Sequence, residues 1–232
     1  MEGVQLHIVL CRALAIFFSV AATSLLIVSQ YQQNWISYKF VITGSQSATV
    51  LILGRPTTIS ITYTFTTAAD VGLWTTYYST NKQYSQEIPG ILENGTITGT
   101  IDSATSGYFT EAAVKACQGL AILASISTLA CLILSLIHLI LIALKSKPFI
   151  IKLNLSQKQM KIIDIATLST AAFTVLTATI ALSVVRSQFK EGMELDTSFY
   201  IAIAALLSSV VTLVFSIVAF KINKNLVGSQ QE

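Results

Sequence analysis

The chain has 232 residues, 53% of them hydrophobic and only 11% charged, whereas a soluble domain carries about 25% charged residues. That balance excludes an ordinary soluble domain. A net charge of +3 is too small and too unevenly placed for a nucleic-acid surface.

Four stretches are long enough to cross a hydrocarbon core, which takes about 20 apolar residues as a helix. The first, about 8–28, carries Arg12 near its start, where a long side chain reaches the headgroups. Its apolar run exceeds the roughly 7–15 residues of a signal-peptide core, and no clear small-x-small site precedes the polar segment, so it reads as an uncleaved span. The next segment, 29–115, is polar and rich in Thr and Tyr, with Tyr31 and Trp35 suited to the membrane interface. Alternating β-branched, aromatic and small polar residues predict strands over 36–43, 49–53, 58–66, 73–79 and 83–88, the first ending at Gly44-Ser45. Residues 92–107, poor in large apolar groups and rich in Gly, Thr and Ser, predict a loop. Within them Asn94-Gly95-Thr96 is a glycosylation sequon.

The second span, 116–144, holds no charged residue and at ~1.5 Å per residue is roughly 43 Å long, so it is expected to project beyond the hydrocarbon or tilt. The link 145–164 carries Lys145, Lys147, Lys152, Lys158 and Lys161 among apolar residues. It suits either the inner leaflet surface or simple positive-inside charge. The third and fourth spans, 165–185 and 197–220, are separated by the short loop 186–196. Their Ala, Ser and Thr residues (Ala171, Ala178, Ala205 and Ser209 among them) predict a tight four-helix bundle. The tail 221–232 adds Lys221 and Lys224. Excess Lys in the 145–164 link and the tail assigns both termini to the cytoplasm and 29–115 to the outside. Asn154-Leu155-Ser156, on the inner side, is then expected to stay unmodified. Arg12, Asp164 and Gln118 read as hydrated boundary residues, and no heptad series stands out.

Groups for chemistry are few. His7 and His138 are isolated, and His138 reads as a hydrogen-bonded helix-packing residue. No phosphate-binding glycine loop, nucleophile elbow or metal-ligand spacing is present. No catalytic residue, metal or cofactor is therefore assigned, and an enzyme is not expected. Cys11, Cys117 and Cys131 fall in or beside spans, so the outer layer is expected to hold without a disulfide.

The fold class expected is thus a membrane four-helix bundle, one tetraspan domain over 1–232, carrying an extracellular antiparallel β-sheet built mainly from 29–115. This layout, with Trp35 after the first span and Gly72-Leu73-Trp74 in the outer segment, resembles the claudin superfamily, including its peripheral myelin protein and calcium-channel gamma-subunit branches. Ala116-Cys117-Gln118-Gly119-Leu120 and Glu194-Leu195-Asp196-Thr197-Ser198-Phe199-Tyr200 are similar to the family's entries into the second and fourth spans. The two cysteines that follow Gly-Leu-Trp in that family are absent here, and Gln118 stands where Arg is usual. The tail ends in Gln231-Glu232, without the hydrophobic terminus that PDZ scaffolds capture.

The resemblance implies a plasma-membrane protein at cell–cell contacts, meeting membrane lipids and either copies of itself or another membrane protein. Trp35, Gly72, Leu73 and Trp74 would organise the sheet, with Trp74 as an anchor. Tyr77, Tyr78 and Tyr84 are candidate partner contacts. An auxiliary subunit of a channel or receptor is the alternative. A pore would draw on Lys39, Arg55 and Asp70.

Overall fold

A computed structural model describes residues 2–32, 34–52, 54–85, 92–107, 109–145, 157–190 and 192–228. Lys147, Lys152, Asn154 and the expected strand end at 86–88 lie outside the described residues. Four helices, α1 (Glu2–Tyr31), α2 (Glu111–Lys145), α3 (Gln157–Ser187) and α4 (Thr197–Gly228), are long and apolar enough to cross a membrane. Each extends past its expected span. α2 starts inside the segment expected to be polar loop, and α3 takes in the end of the Lys-rich link.

The helices meet along seams that repeat every 3 and 4 residues. On α1 the buried positions are Ile8, Arg12, Ala15, Ser19, Ala22, Leu26 and Ser29; on α3 they include Asp164, Thr167, Ala171, Thr174, Ala178, Ala181 and Val185. α2 (Cys117, Ala121, Ala124, Thr128, Cys131, Ser135, His138) and α4 (Ala202, Ala205, Ser209, Thr212, Ser216, Ala219) keep the same spacing. A sustained 3.5-residue period is the geometry of a left-handed bundle. The expectation of no heptad series is therefore corrected. The series is written in small and hydroxylated residues, while large apolar ones such as Leu10, Phe17, Ile126, Leu176 and Leu207 are exposed. Lipid tails are as apolar as leucine, so large side chains gain nothing by hiding from them, and small ones let backbones approach. The hydroxyls are satisfied mostly within their own helices: Thr128 and Thr174 donate to the carbonyls of Ala124 and Thr170. Across the seam, Ser127 and Thr174 hydroxyls are 2.9 Å apart.

The strands are β1 (Ile36–Ile52), β2 (Arg55–Val71), β3 (Thr75–Tyr84), β4 (Gly95–Asp102) and β5 (Met193–Leu195). They form one antiparallel sheet in the order β4-β3-β2-β1-β5. Two expectations are corrected. Residues 92–107 contain β4, whose register with β3 runs from Thr75↔Asp102 to Lys82↔Gly95. β1 runs straight through Gly44, because the Tyr63 ring of its cross-strand partner lies over that glycine and occupies the space a Cβ would need. Tyr78 covers Gly99 in the same way. Bare strand glycines thereby gain a packed side chain from the neighbouring strand. Gly54, at φ 76°, closes the turn between β1 and β2.

Candidate functional site

The sheet stands on the bundle through one apolar cluster: Trp35, Ile36, Val71, Leu73, Cys117, Val185, Met193 and Phe199. Trp35, 5% exposed, is its keystone. Its Nε1 donates to the Ser29 carbonyl at 2.6 Å, its backbone N donates to Val71 at 3.0 Å, and its ring meets Phe199 edge-on at 6.3 Å. Gly72 and Leu73 are buried beside it. The Gly72 carbonyl accepts from Ser103 Oγ at 2.8 Å, and the Leu73 carbonyl accepts from Gln118 Nε2 at 3.0 Å. Gln118, expected as a hydrated boundary residue, is thus a tie between α2 and the sheet. Trp74 separates from this group: it is 37% exposed and lines a cleft between the sheet and the ends of α1 and α2. The second helix pair is tied in as well. β5 pairs with the foot of β1, and the backbone N–H groups of Asp196 and Ser198 donate to the carbonyls of Trp35 and Asn34, both at 3.0 Å.

Above this base the register sorts side chains onto two faces. One carries hydroxyls and amides: Thr43, Ser45 and Ser47 on β1, Thr58, Ser60 and Thr62 on β2, Asn81 and Gln83 on β3, Thr96 and Thr98 on β4. Cross-strand bonds such as Ser47···Ser60, at 2.7 Å, knit it. The other carries Phe40, Ile42, Tyr63, Phe65, Tyr84 and Ile97. The three candidate contact tyrosines divide accordingly. Tyr77 is exposed on the polar face, Tyr78 packs on Gly99, and Tyr84 packs edge-on against Phe65 at 5.8 Å. β3 reaches only as far as Tyr63↔Tyr84. Just beyond it the Ser85 backbone N–H donates to the Thr62 carbonyl at 2.8 Å, and from there β1 and β2 are the only paired strands among the described residues for seven register pairs, Gln46↔Ile61 to Ile52↔Arg55, a two-stranded ribbon about 24 Å long at ~3.4 Å per residue. Arg55 stands at its tip, far along the ribbon from Lys39 and Asp70 at the foot, so these three are not brought together. Burial, and then the nearby charge of Asp196, hold the Asp70 carboxyl above its ordinary range.

At the opposite end of the bundle each helix contributes one polar side chain to a cluster that the sequence reading missed. Arg12 Nη2 and Asp164 Oδ1 form a buried ion pair, His138 Nδ1 lies 2.9 Å from the same oxygen, and Asn223 Nδ2 donates to Asp164 Oδ2 at 3.0 Å. Arg12 and Asp164 are 0% and 1% exposed, which corrects the expectation of hydrated boundary residues. The signal available was phase: Arg12, His138 and Asp164 occupy seam positions, and on helices surrounded by lipid a charge at a seam position is a paired charge.

Neither a protein-family model nor a curated protein sequence matches this chain. Asn94 is exposed just before β4, its Oδ1 accepting from the Tyr84 backbone N at 2.6 Å. Of the Lys-rich link, Lys145 ends α2 while Lys158 and Lys161 fall in the first turns of α3, with Lys161 exposed.

Proposed function

We propose that this chain is a claudin-like multi-pass protein of the plasma membrane, with its sheet outside the cell, its termini in the cytoplasm, and a role in contact between apposed membranes. The observation that carries the reading is the ribbon of β1 and β2, which leaves the sheet and projects away from the helices. A two-stranded ribbon is marginal alone in water. It suits a surface completed by a partner, and its reach suits a partner on a facing membrane. Placement outside is supported by charge: Lys161, Lys221 and Lys224 lie at the end of the bundle away from the sheet. Trp35, Gly72 and Leu73, the residues behind the family resemblance, sit together at the foot of the sheet.

An auxiliary subunit of a channel or receptor is the second reading. It is favoured by the outward side of α3, where Ser169, Ala172, Thr179 and Ser183 are exposed and would admit a neighbouring helix. The two part company in a mixed-cell assay with tagged protein in cells that lack adhesion proteins. Gathering only where two expressing cells touch supports contact. An even surface distribution refutes it in favour of the subunit. Sidedness is checked with glycosidase: a band shift that disappears in Asn94→Gln supports the outside placement, whereas glycan on Asn154 would invert it.

A further inference from the structure

Where α1 ends, its last turn, the outer part of α2 and the start of β3 leave a half-open cleft of 580 Å³ lined by Gln30, Tyr31, Gln32, Trp74, Thr75 and Ile122. That volume lies within the range of about 300–1,000 Å³ typical of small-ligand clefts. We infer that this cleft holds the head of a choline-bearing membrane lipid, phosphatidylcholine or sphingomyelin, with its chains running down the α1–α2 surface. The inference goes beyond the contact role and rests only on the helices crossing a membrane.

Three features select the ligand. First, position: the cleft opens where the apolar run of α1 gives way to Tyr31, at the level of the lipid headgroups. Ile122, exposed on α2 just below, offers an apolar path for an acyl chain. Second, charge: none of the six lining residues is ionic, so nothing there recognises a net anionic head. Third, aromatic content: Tyr31, 82% exposed, and Trp74, 37% exposed, are both aromatic and both line the cleft. Quaternary ammonium groups are bound by aromatic faces through cation–π attraction. The amides complete the head. Gln30 Nε2 is committed to the Ala121 carbonyl and Ser125 Oγ, which fixes that side chain in place. Gln32 uses its Oε1 to accept from Ser198 Oγ at 3.2 Å, which turns its Nε2 into the donor suited to a phosphate oxygen. Trp74, the one residue of Gly72-Leu73-Trp74 outside the sheet's packed foot, gains a role here.

The test places the full chain in nanodiscs of phosphatidylcholine, phosphatidylethanolamine and phosphatidylglycerol in equal parts, then weighs the lipid that stays bound after transfer to mild detergent, by native mass spectrometry. A roughly fivefold preference over each of the other two lipids, the size of one cation–π contact, is expected, which makes phosphatidylcholine about 70% of the bound lipid against a third of the disc. Tyr31→Leu and Trp74→Leu should each return the bound lipid to the disc ratio. Tyr31 is too exposed for its loss to unfold the chain, and an unchanged melting temperature in that variant verifies this. Bound lipid at the disc ratio in the wild type overturns the proposal, as does enrichment of phosphatidylglycerol. Enrichment that survives Tyr31→Leu also overturns it, by locating the lipid elsewhere. The measurement involves no second membrane, so its outcome is independent of the contact role.

Discussion

Replacing Arg12 by Leu takes the cation away from the buried Asp164 at the end of the bundle opposite the sheet. Arg12 and Asp164 are withdrawn from solvent, and Asp164 pairs with Arg12 and accepts from Asn223, with His138 Nδ1 2.9 Å from its Oδ1. Removing one partner of a buried ion pair typically costs about 3–5 kcal/mol, because the other charge is left without compensation. With a chain of this size shifting by ~2–4 °C per kcal/mol, the melting temperature in detergent should fall by roughly 6–20 °C. The informative comparison is the double variant, Arg12→Leu with Asp164→Leu. Replacing both members of a buried pair by apolar residues is often neutral or stabilising by about 1–4 kcal/mol, so the double variant should recover most of the loss. A thermal-unfolding cycle over the wild type, both singles and the double reads the coupling directly. A double variant that loses as much as the two singles summed would refute the pairing, and with it the idea that these charges persist in the bundle because they neutralise one another.

Three further outcomes are expected. Trp35→Ala should destabilise by about 3–5 kcal/mol through the cavity it opens at the foot of the sheet, while Trp74→Ala stays within ~1 kcal/mol; melting temperature and surface delivery read both. Gly44→Val places a side chain where the Tyr63 ring lies and should cost about 1–3 kcal/mol, with partial recovery when Tyr63→Ala is added; full stability in the single variant would count against the register at Gly44↔Tyr63. For Asp70, burial and Asp196 raise the folded-state pKa, so the folded protein binds the proton more tightly than the unfolded chain. Stability is then unpenalised below the ordinary carboxylate range and falls as pH rises through the window just above it. Asp70→Asn should remove that decline from the stability-against-pH curve.

Residue classes that reverse their meaning in lipid account for most of what the sequence did not reveal. The four spans were legible because length and apolar content suffice to mark them. Their inward faces were not, because a search for an apolar stripe finds large residues, and here large residues such as Phe17 and Leu207 turn outward while Ser19 and Ser209 turn in. Arg12 looked like a snorkelling residue because distance from the span end is visible in sequence and a partner on α3, 152 positions away, is not. At the foot of the sheet Trp35, Gly72 and Leu73 lie together. β4 was missed because Gly95 and Gly99 lower its propensity, and Tyr78 restores what Gly99 lacks from across the ladder. The cleft beside Trp74 had no sequence signal, since its walls come from α1, α2 and β3.

The pairing of β1 with β5 has a mechanical consequence. β1 is continuous from the ribbon tip at Ile52 to Ile36, where it is bonded to β5 along Ile36↔Leu195, Ser37↔Glu194 and Tyr38↔Met193. A pull on the tip along the strand would load those bonds in parallel, as shear, so that they resist together instead of opening one by one. The load would then divide between α1, which precedes β1 in the chain, and α4, whose Ser198 and preceding residue Asp196 are bonded to the carbonyls of Asn34 and Trp35. Tension at the far end of the sheet would thus be shared by two helices that pack directly on each other, giving the sheet an anchorage spread across the bundle.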